Sequence, residues 1–276
     1  MFLDKIKRRT VLGLAFSFAT FASVSTFAPV LAHAEDKTSI KLGTMEGEES
    51  EVWKVAAQEA KKQGLNIDLV FFSDYALPNE AVNAGDIDAN SFQHKPYLDA
   101  QIEQRGYKLS VVGYTVLFPM GVYSHKIKDL KDLRDGAVVG VPNDPSNGGR
   151  ALRLLNDMGF IKLKDPNNVL ASKLDIVENP KKLEIRELDA GMLGRAIDDF
   201  DIAIVNTNWA LTTGLKPDKD AIAWEKSENN PYNNIIVVRT ADKDEPWVKK
   251  LVAAYNSEPV RAKIKEVFGV TAQPLW

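Results

Sequence analysis

The segment from Val141 to Gly159, VPNDPSNGGRALRLLNDMG, contains residue types that suit the binding of a small anion. It runs from an apolar strand through a polar loop into a predicted helix. Asparagine, aspartate and serine side chains cap free N–H groups at a helix start, and such a start attracts negative charge. The candidate capping residues are Asn143, Asp144, Ser146 and Asn147. We expect the pair Gly148–Gly149 to let the backbone approach a ligand closely.

Arg150 follows the glycine pair and is the candidate for contact with the anion. A planar guanidinium can hold one carboxylate through two hydrogen bonds. The loop lacks the GxxxxGK[ST] pattern of nucleotide-phosphate sites, so a small carboxylate fits it better. The alternative is an ordinary capped helix in which Arg150 faces solvent or pairs with Asp157.

Aromatic residues stand at the predicted ends of two strands, in the segments SDYALPNEA and ANSFQHKPYLD. The candidates are Tyr75, Phe92, His94 and Tyr97. Because side chains alternate along an extended chain, Phe92 and His94 share one side. We interpret these rings as walls around an apolar or thioether side chain, for which sulfur–aromatic contacts contribute about 0.3–1.5 kcal/mol. The alternative is that Phe92 and Tyr97 are core residues and Tyr75 a turn residue.

Asparagines flank two later strands. Asn206 and Asn208 end one predicted strand, and Asn233 and Asn234 begin another. Amide oxygens accept hydrogen bonds from an ammonium, which together with Arg150 would complete the recognition of a zwitterion. Asparagine is also common in turns, so these residues alone leave both interpretations open.

Catalytic patterns are scarce. The 276 residues include no cysteine and three histidines, one of which, His33, lies in the leader described below. HExxH and GxSxG motifs are missing, and no histidine–carboxylate spacing is typical of a metal site. We expect no catalytic residue, no metal and no cofactor. The open alternative is an enzyme on the same fold with His94 as acid or base.

Strand and helix patterns alternate along the chain, which indicates α/β lobes built from βαβ units. The third predicted strand of each lobe lies in GDIDANSF and in FDIAIVNTNW. Both segments run from an acidic turn through apolar residues to polar and aromatic residues. We predict two lobes, 35–115 plus 236–276 and 116–235, with a cleft between them and with 107–124 and 234–240 as crossing strands. Predicted strands cover 39–45, 65–72, 86–92, 173–179, 201–208 and 234–240; predicted helices cover 48–62, 95–105, most of 183–199 and two C-terminal segments.

The N-terminus reads as an export signal. Basic residues between Lys5 and Arg9 precede an apolar run from Val11 to Ala32, and Ala32-His33-Ala34 matches a cleavage site. We predict a signal peptide over 1–34, with twin-arginine export through Arg8-Arg9 or a retained membrane anchor as alternatives. Cleavage takes the net charge from −3 to −6, because the leader carries four basic residues and Asp4. An acidic mature chain is a poor partner for nucleic acid.

These segments resemble a known family, the methionine-binding NlpA lipoproteins of ABC importers. The resemblance rests on FFSDYALPNEA, IDANSFQHKPYLD, VPNDPSNGGRAL, LDIVENPKKLEIRELDA, AIVNTNWA and the PYNN of 231–234, in the family's order over nearly all of 38–276. It implies a type II periplasmic-binding fold and a methionine-like ligand that is passed to a permease in the inner membrane.

The resemblance also implies residue roles. Arg150 would hold the ligand carboxylate with Asn147 beside it, while Asn206 and Asn234 would bind the amino and carboxylate groups. Tyr75, Phe92, His94 and Tyr97 would line the side-chain pocket. The family's lipid-bearing cysteine has no counterpart here, so we expect a soluble periplasmic monomer. Trp209 stands where a smaller aromatic is expected, so another small amino acid or a methionine-containing dipeptide remains an alternative ligand.

Overall fold

Two five-stranded sheets organise residues 36–276, the part of the chain that this computed structural model describes. The predicted signal peptide, residues 1–34, lies outside these residues. Within 36–276, no helix combines the length and the apolar character needed to cross a bilayer.

The first sheet is formed by strands from both ends of the described chain. In spatial order, its strands are β2 (Asn66–Phe72), β1 (Ser39–Met45), β3 (Ala89–Asn90), β13 (Ile235–Arg239) and β4 (Leu109–Tyr114). β1 pairs in parallel with β2 and β3, whereas β13 is antiparallel to β3 and β4. A strand from late in the chain therefore sits inside a sheet formed early in it.

The second sheet repeats this arrangement. In spatial order, its strands are β10 (Glu184–Leu188), β7 (Val138–Pro142), β11 (Ile202–Val205), β6 (Gly121–Tyr123) and β12 (Ala221–Trp224). β7 is parallel to β10 and β11, and β6 is antiparallel to β11 and β12. β3 and β11 thus occupy the same place in their sheets, which explains why their sequences are alike in design.

The chain passes between the sheets twice, through residues 115–120 and 225–234; we call these the crossing segments. The first contains β5 (Val116–Leu117), which pairs with β14 (Gln273–Pro274) near the C-terminus. The crossing predicted within 107–124 is confirmed, whereas the second crossing precedes β13 rather than coinciding with it. We call each sheet with its helices a half; the lobe boundaries given above stay a prediction.

Nine α-helices cover the sheets within residues 36–276. They are α1 (Glu48–Lys62), α2 (Leu77–Ala84), α3 (Lys95–Arg105), α4 (Pro145–Asp157), α5 (Ala190–Leu193), α6 (Thr207–Thr212), α7 (Pro217–Asp220), α8 (Pro246–Tyr255) and α9 (Glu258–Phe268). The buried face of α1 carries Val52, Ala56 and Ala60, whose spacing of four residues puts them on one side of a helix. This face packs against the C-terminal helices, where Trp53 and Tyr255 lie 4.6 Å apart between ring centroids.

Each half has its own apolar core, and a further cluster joins them. Residues of the first half in this cluster include Met45, Phe92 and Tyr97, and those of the second include Val205 and Trp209. All five are less than 10% exposed. Two of the aromatic residues that the sequence singled out, Phe92 and Tyr97, therefore take part in the apolar packing between the halves.

The largely helical interpretation of 183–199 is wrong. Residues 184–188 form strand β10, which pairs only with β7 at the edge of the second sheet. The charged residues of β10 are solvent-exposed, because one side of an edge strand is open to water. The surface of a helix accepts the same residues, so the sequence EIREL is also compatible with a helix. Of 173–179, only 176–178 is a strand (β9), and it pairs with β8 (Lys162–Leu163) outside both main sheets.

Candidate functional site

A cavity lies between the two halves and is lined by residues of both. It is lined by all eight residues proposed from the sequence: Tyr75, Phe92, His94, Tyr97, Asn147, Arg150, Asn206 and Asn234. Five further residues complete the lining: Glu49, Gln93, Phe118, Thr207 and Asn208. Residues almost 160 positions apart in the sequence thus meet at one place.

Arg150 is buried in the second turn of α4, with only 3% of its surface exposed. Its Nε donates to Oε1 of Glu225 at 2.9 Å, and its Nη2 donates to Oε2 at 2.5 Å. The same Nη2 donates to the carbonyl of Phe118 at 2.7 Å. The guanidinium also lies 4.5 Å from the ring centre of Tyr232. Neither alternative from the sequence holds, since Arg150 does not face solvent and its partner is Glu225 rather than Asp157.

Asn147 connects the groups around Arg150. Its backbone N–H and its Nδ2 donate to Asp144, the N-cap of α4. Its Oδ1 accepts from Nδ2 of Asn206 at 2.8 Å and lies 3.1 Å from Nε2 of His94. The Oδ1 of Asn206 is buried and has no hydrogen-bond partner among the described residues. Asn206 therefore keeps an acceptor at the cavity.

His94 is a neutral side chain. Its Nδ1 accepts the N–H of Tyr97 at the start of α3, so Nε2 carries the proton that is donated to Asn147. Burial, followed by the nearby charge of Arg150, lowers the pKa of His94 to about 3. Such a pKa lies far from the value near the working pH that suits a general acid or base.

The aromatic residues form one wall of the cavity. Tyr75 packs against Phe92 at 5.8 Å and against Trp209 of the second half at 5.3 Å. Its hydroxyl donates to Oδ1 of Asn208 at 2.7 Å, across the boundary between the halves. Phe92 and Tyr97 are each 5% exposed and also line the cavity, so the core and pocket interpretations hold together.

A buried amide network shapes the loop that carries Phe92 and His94. Asn79 exchanges hydrogen bonds with Gln93, and Asn90 donates to Asn79. These residues belong to the motifs LPNEA and DANSFQHKP. Their amides fix the loop after β3, and this loop then pairs with the start of β13 through a bridge between His94 and Asn234.

The expected role of Gly148 and Gly149 is wrong. A Cβ on Gly148 would lie 2.8 Å from the carbonyl oxygen of Pro142, and one on Gly149 would lie 2.6 Å from that of Val169. These glycines allow α4 to pack closely against the protein's own backbone, not against a ligand. Asn143 is solvent-exposed, and Asp144 alone caps the helix.

The sequence analysis missed Glu49, which lines the cavity, and Glu225 and Tyr232, which contact Arg150. Glu49 stands in the first turn of α1, where acidic residues are common for helix stability alone. Burial and the neighbouring charge of Glu48 raise the pKa of Glu49 to about 8. Glu225 and Tyr232 lie in a crossing segment without periodicity, so the sequence carried no signal of their contact with Arg150. Within residues 36–276, no group of three His, Asp or Glu side chains is placed to hold a metal.

Two α/β halves that enclose a polar and aromatic cavity have the architecture of a solute-binding protein. Comparison with known proteins gives the family. The model of the NlpA lipoprotein family matches residues 40–276, and this chain belongs to that family.

Individual relatives and solved structures agree with this family assignment. The D-methionine-binding lipoprotein MetQ of Salmonella typhi is 50% identical over 272 residues, covering 95% of this chain and 100% of that protein. MetQ of Escherichia coli K12 is 49% identical with the same coverage. A nutrient-binding protein from Burkholderia cenocepacia, solved bound to methionine, has a TM-score of 0.83 and 54% identity, covering 86% of this chain and 100% of that one.

These findings confirm the predicted family, the two-lobe α/β fold and the prediction that the protein is a substrate-binding protein rather than an enzyme. The alternative in which His94 is a catalytic acid or base is therefore wrong.

The glycine contacts generate a stability prediction. Alanine at position 149 gains about 1 kcal/mol of helix propensity but forces overlap with rigid backbone, which costs about 1–3 kcal/mol or more. We expect Gly149→Ala to lower the free energy of unfolding in urea by about 1–2 kcal/mol. Asp157→Ala, at an exposed position of the same helix, is the control and should change it by less than about 0.5 kcal/mol. Wild-type stability of Gly149→Ala would refute the proposed packing role.

The neutral state of His94 generates a pH prediction. Its folded pKa of about 3 lies below the unfolded value of 6.5, so the unfolded chain alone takes up the proton as the pH falls below 6.5. This effect should remove about 2 kcal/mol of stability between pH 7 and pH 5. His94→Gln should lack this loss in urea unfolding at both pH values, whereas exposed His125→Gln should retain it. Equal pH dependence in wild type and His94→Gln would contradict the assignment.

Proposed function

We propose that the protein captures methionine, or a close analogue, in this cavity and delivers it to the permease of an ABC importer in the inner membrane. The observation that carries this proposal is the buried guanidinium of Arg150, which lines a small cavity together with a wall of aromatic rings. The guanidinium suits the carboxylate of an amino acid, and the aromatic rings suit its apolar side chain. Relatives named for methionine binding support the same ligand.

Arg150 keeps a donor for the ligand. Its Nε and Nη2 are engaged by Glu225 and Phe118, whereas its Nη1 has no hydrogen-bond partner among the described residues. In our proposal Nη1 donates to the ligand carboxylate, with Asn147 beside it. Glu225 acts as a positioning residue, because a guanidinium held along one edge presents its other edge in a fixed direction.

The remaining residues orient the two other parts of the ligand. Asn206 and Asn234 bind the amino and carboxylate groups, and the buried unpartnered Oδ1 of Asn206 favours an ammonium there. The thioether lies among Tyr75, Phe92, His94 and Tyr97, where sulfur–aromatic contacts contribute about 0.3–1.5 kcal/mol. Another small amino acid or a methionine-containing dipeptide is the competing ligand.

Binding closes the two halves in this proposal. The residues around the cavity come from both halves, so a ligand that contacts both binds the closed arrangement better than an open one. Two side-chain hydrogen bonds, Tyr75 to Asn208 and His94 to Asn147, span the halves here and would break on opening. The halves move as the predicted lobes, 35–115 plus 236–276 and 116–235.

We further propose that the mature protein is a soluble periplasmic monomer, released by cleavage near Ala34 and exported by the general or the twin-arginine route. The sequence contains no cysteine for lipid attachment, although the named relatives are lipoproteins. With a net charge of −6 after cleavage, the protein would not bind nucleic acid.

The site is tested by replacing Arg150 and measuring methionine binding by calorimetry. Removing a partner from a buried charged pair costs about 3–5 kcal/mol, so Arg150→Ala should lose at least about a hundredfold in affinity. Arg150→Lys should also lose affinity, since a lysine ammonium lacks the planar array of donors with which a guanidinium binds Glu225 on one edge and the ligand on the other. Wild-type-like binding in both variants would refute the site.

Folding and binding effects can be separated, because Arg150→Ala also leaves Glu225 buried and unpaired. The double variant Arg150→Met/Glu225→Gln removes both charges and should fold, as judged by circular dichroism, yet fail to bind. Arg186→Ala is the control, since Arg186 is exposed on β10, pairs with Glu184 and lies outside the cavity lining. It should bind methionine within about threefold of wild type.

Export is tested by the intact mass of protein expressed with its leader in a bacterium with an outer membrane. We expect a mass of residues 35–276 without acylation, in the osmotic-shock fraction. Ala34→Phe should block cleavage, because the signal peptidase requires a small residue there. A wild-type chain that stays uncleaved in the membrane fraction would establish the anchor alternative instead.

A further inference from the structure

Glu49 is an acidic side chain at the cavity whose charge is not matched by the protein. It is half-buried, it lines the cavity, and among residues 36–276 it forms neither an ion pair nor a side-chain hydrogen bond. We propose that Glu49 recognises the α-ammonium of the ligand and so makes a charged, unmodified amino group a requirement for binding. This inference rests on the proposed function and specifies its ligand further.

The other acidic groups near the cavity are already engaged. Glu225 is paired with Arg150, and Asp144 accepts hydrogen bonds from Asn147 and Ser146. His94 is neutral. Glu49 is therefore the carboxylate left to balance a cation that enters the cavity, just as the Nη1 of Arg150 is left for an anion.

The two charges belong to opposite halves. Glu49 is carried by α1 on the first sheet, and Arg150 is carried by α4 on the second. A zwitterion that contacts both would join the halves through its own two charges. A ligand that has a carboxylate but no ammonium would contact Arg150 and would not gain the interaction with Glu49 on the opposite half.

The position of Glu49 also limits the length of the ligand. Glu49, Phe118 and Asn234 line both the main cavity and a smaller adjoining one. A group attached to the ligand nitrogen would have to pass Glu49 to enter the adjoining space. An N-acylated methionine or a dipeptide with a C-terminal methionine would present a neutral amide to the carboxylate. Glu49 therefore selects single amino acids.

A proton should leave when the ligand binds. Burial and Glu48 raise the pKa of Glu49 to about 8 without ligand, and an adjacent ammonium favours the charged carboxylate and lowers that pKa. Burial moves the pKa values of other groups at the cavity away from neutral pH: it lowers that of His94 to about 3 and raises those of Tyr75 and Tyr255. Affinity should rise by up to about tenfold per pH unit from pH 6 to pH 8.

The test compares methionine with 4-(methylthio)butanoate, which lacks only the amino group, by calorimetry on wild type and Glu49→Gln. We expect Glu49→Gln to weaken methionine binding by at least about 30-fold and to leave the affinity for the desamino analogue within about threefold of wild type. Wild type should reject N-acetylmethionine and Gly-Met. The control is Glu51→Gln, the same charge change on an exposed residue of α1, which should bind methionine like wild type.

Proton release is the second readout. Calorimetry in two buffers of different ionisation enthalpy should show close to one proton released per methionine at pH 7 in wild type and none in Glu49→Gln.

Each contrary result overturns a defined claim. Unchanged methionine affinity in Glu49→Gln, or an equal loss for both ligands, would overturn the role of Glu49 while leaving the Arg150 site intact. Tight wild-type binding of N-acetylmethionine or Gly-Met would overturn the selection of single amino acids. Absence of methionine binding in wild type would overturn the proposed function itself, and this inference with it.

Discussion

The site depends on the burial of one guanidinium. A buried arginine is stable only when its charge and most of its donors are satisfied. The partners of Arg150 are the carboxylate of Glu225, the carbonyl of Phe118 and the ring of Tyr232. All three lie in the crossing segments, 115–120 and 225–234. The charge on α4 therefore fixes where the chain passes between the halves, and these passages in turn hold the charge at the cavity.

The hydrogen bonds between the halves are of a different kind. Tyr75 to Asn208 and His94 to Asn147 are hydrogen bonds between neutral groups, each contributing only about 0.5–1.5 kcal/mol. The strong ion pair of Arg150 and Glu225 does not join one sheet to the other, so it need not break when the halves separate. Opening thus exposes no unpaired protein charge of this pair. In the proposed function, the solute can therefore bind and leave without disturbing the contacts that hold Arg150.

Much of the fold could be predicted because its elements obey local rules. The helical spacing of Val52, Ala56 and Ala60 predicted α1, and alternating strands and helices predicted two α/β lobes. β10 was missed because its charged residues suit an open edge as well as a helix surface. Glu225 and Glu49 were missed for another reason. Their importance comes from contacts with residues far away in sequence, and neither residue differs locally from an ordinary surface glutamate.

The residues of the candidate site were easier to predict than the interactions that position them, because most of these residues also stabilise the fold. His94 caps α3 and bonds to Asn147 at the cavity, and Phe92 and Tyr97 are core residues that also form its wall. Core and ligand-contacting roles, treated as alternatives at the level of sequence, are thus compatible in one side chain. Gly148 and Gly149 show the converse, because a pattern typical of ligand approach here permits close packing of protein against protein. Residue type and spacing therefore predicted which residues line the cavity. The interactions that hold these residues in place could be identified only from contacts in the folded structure.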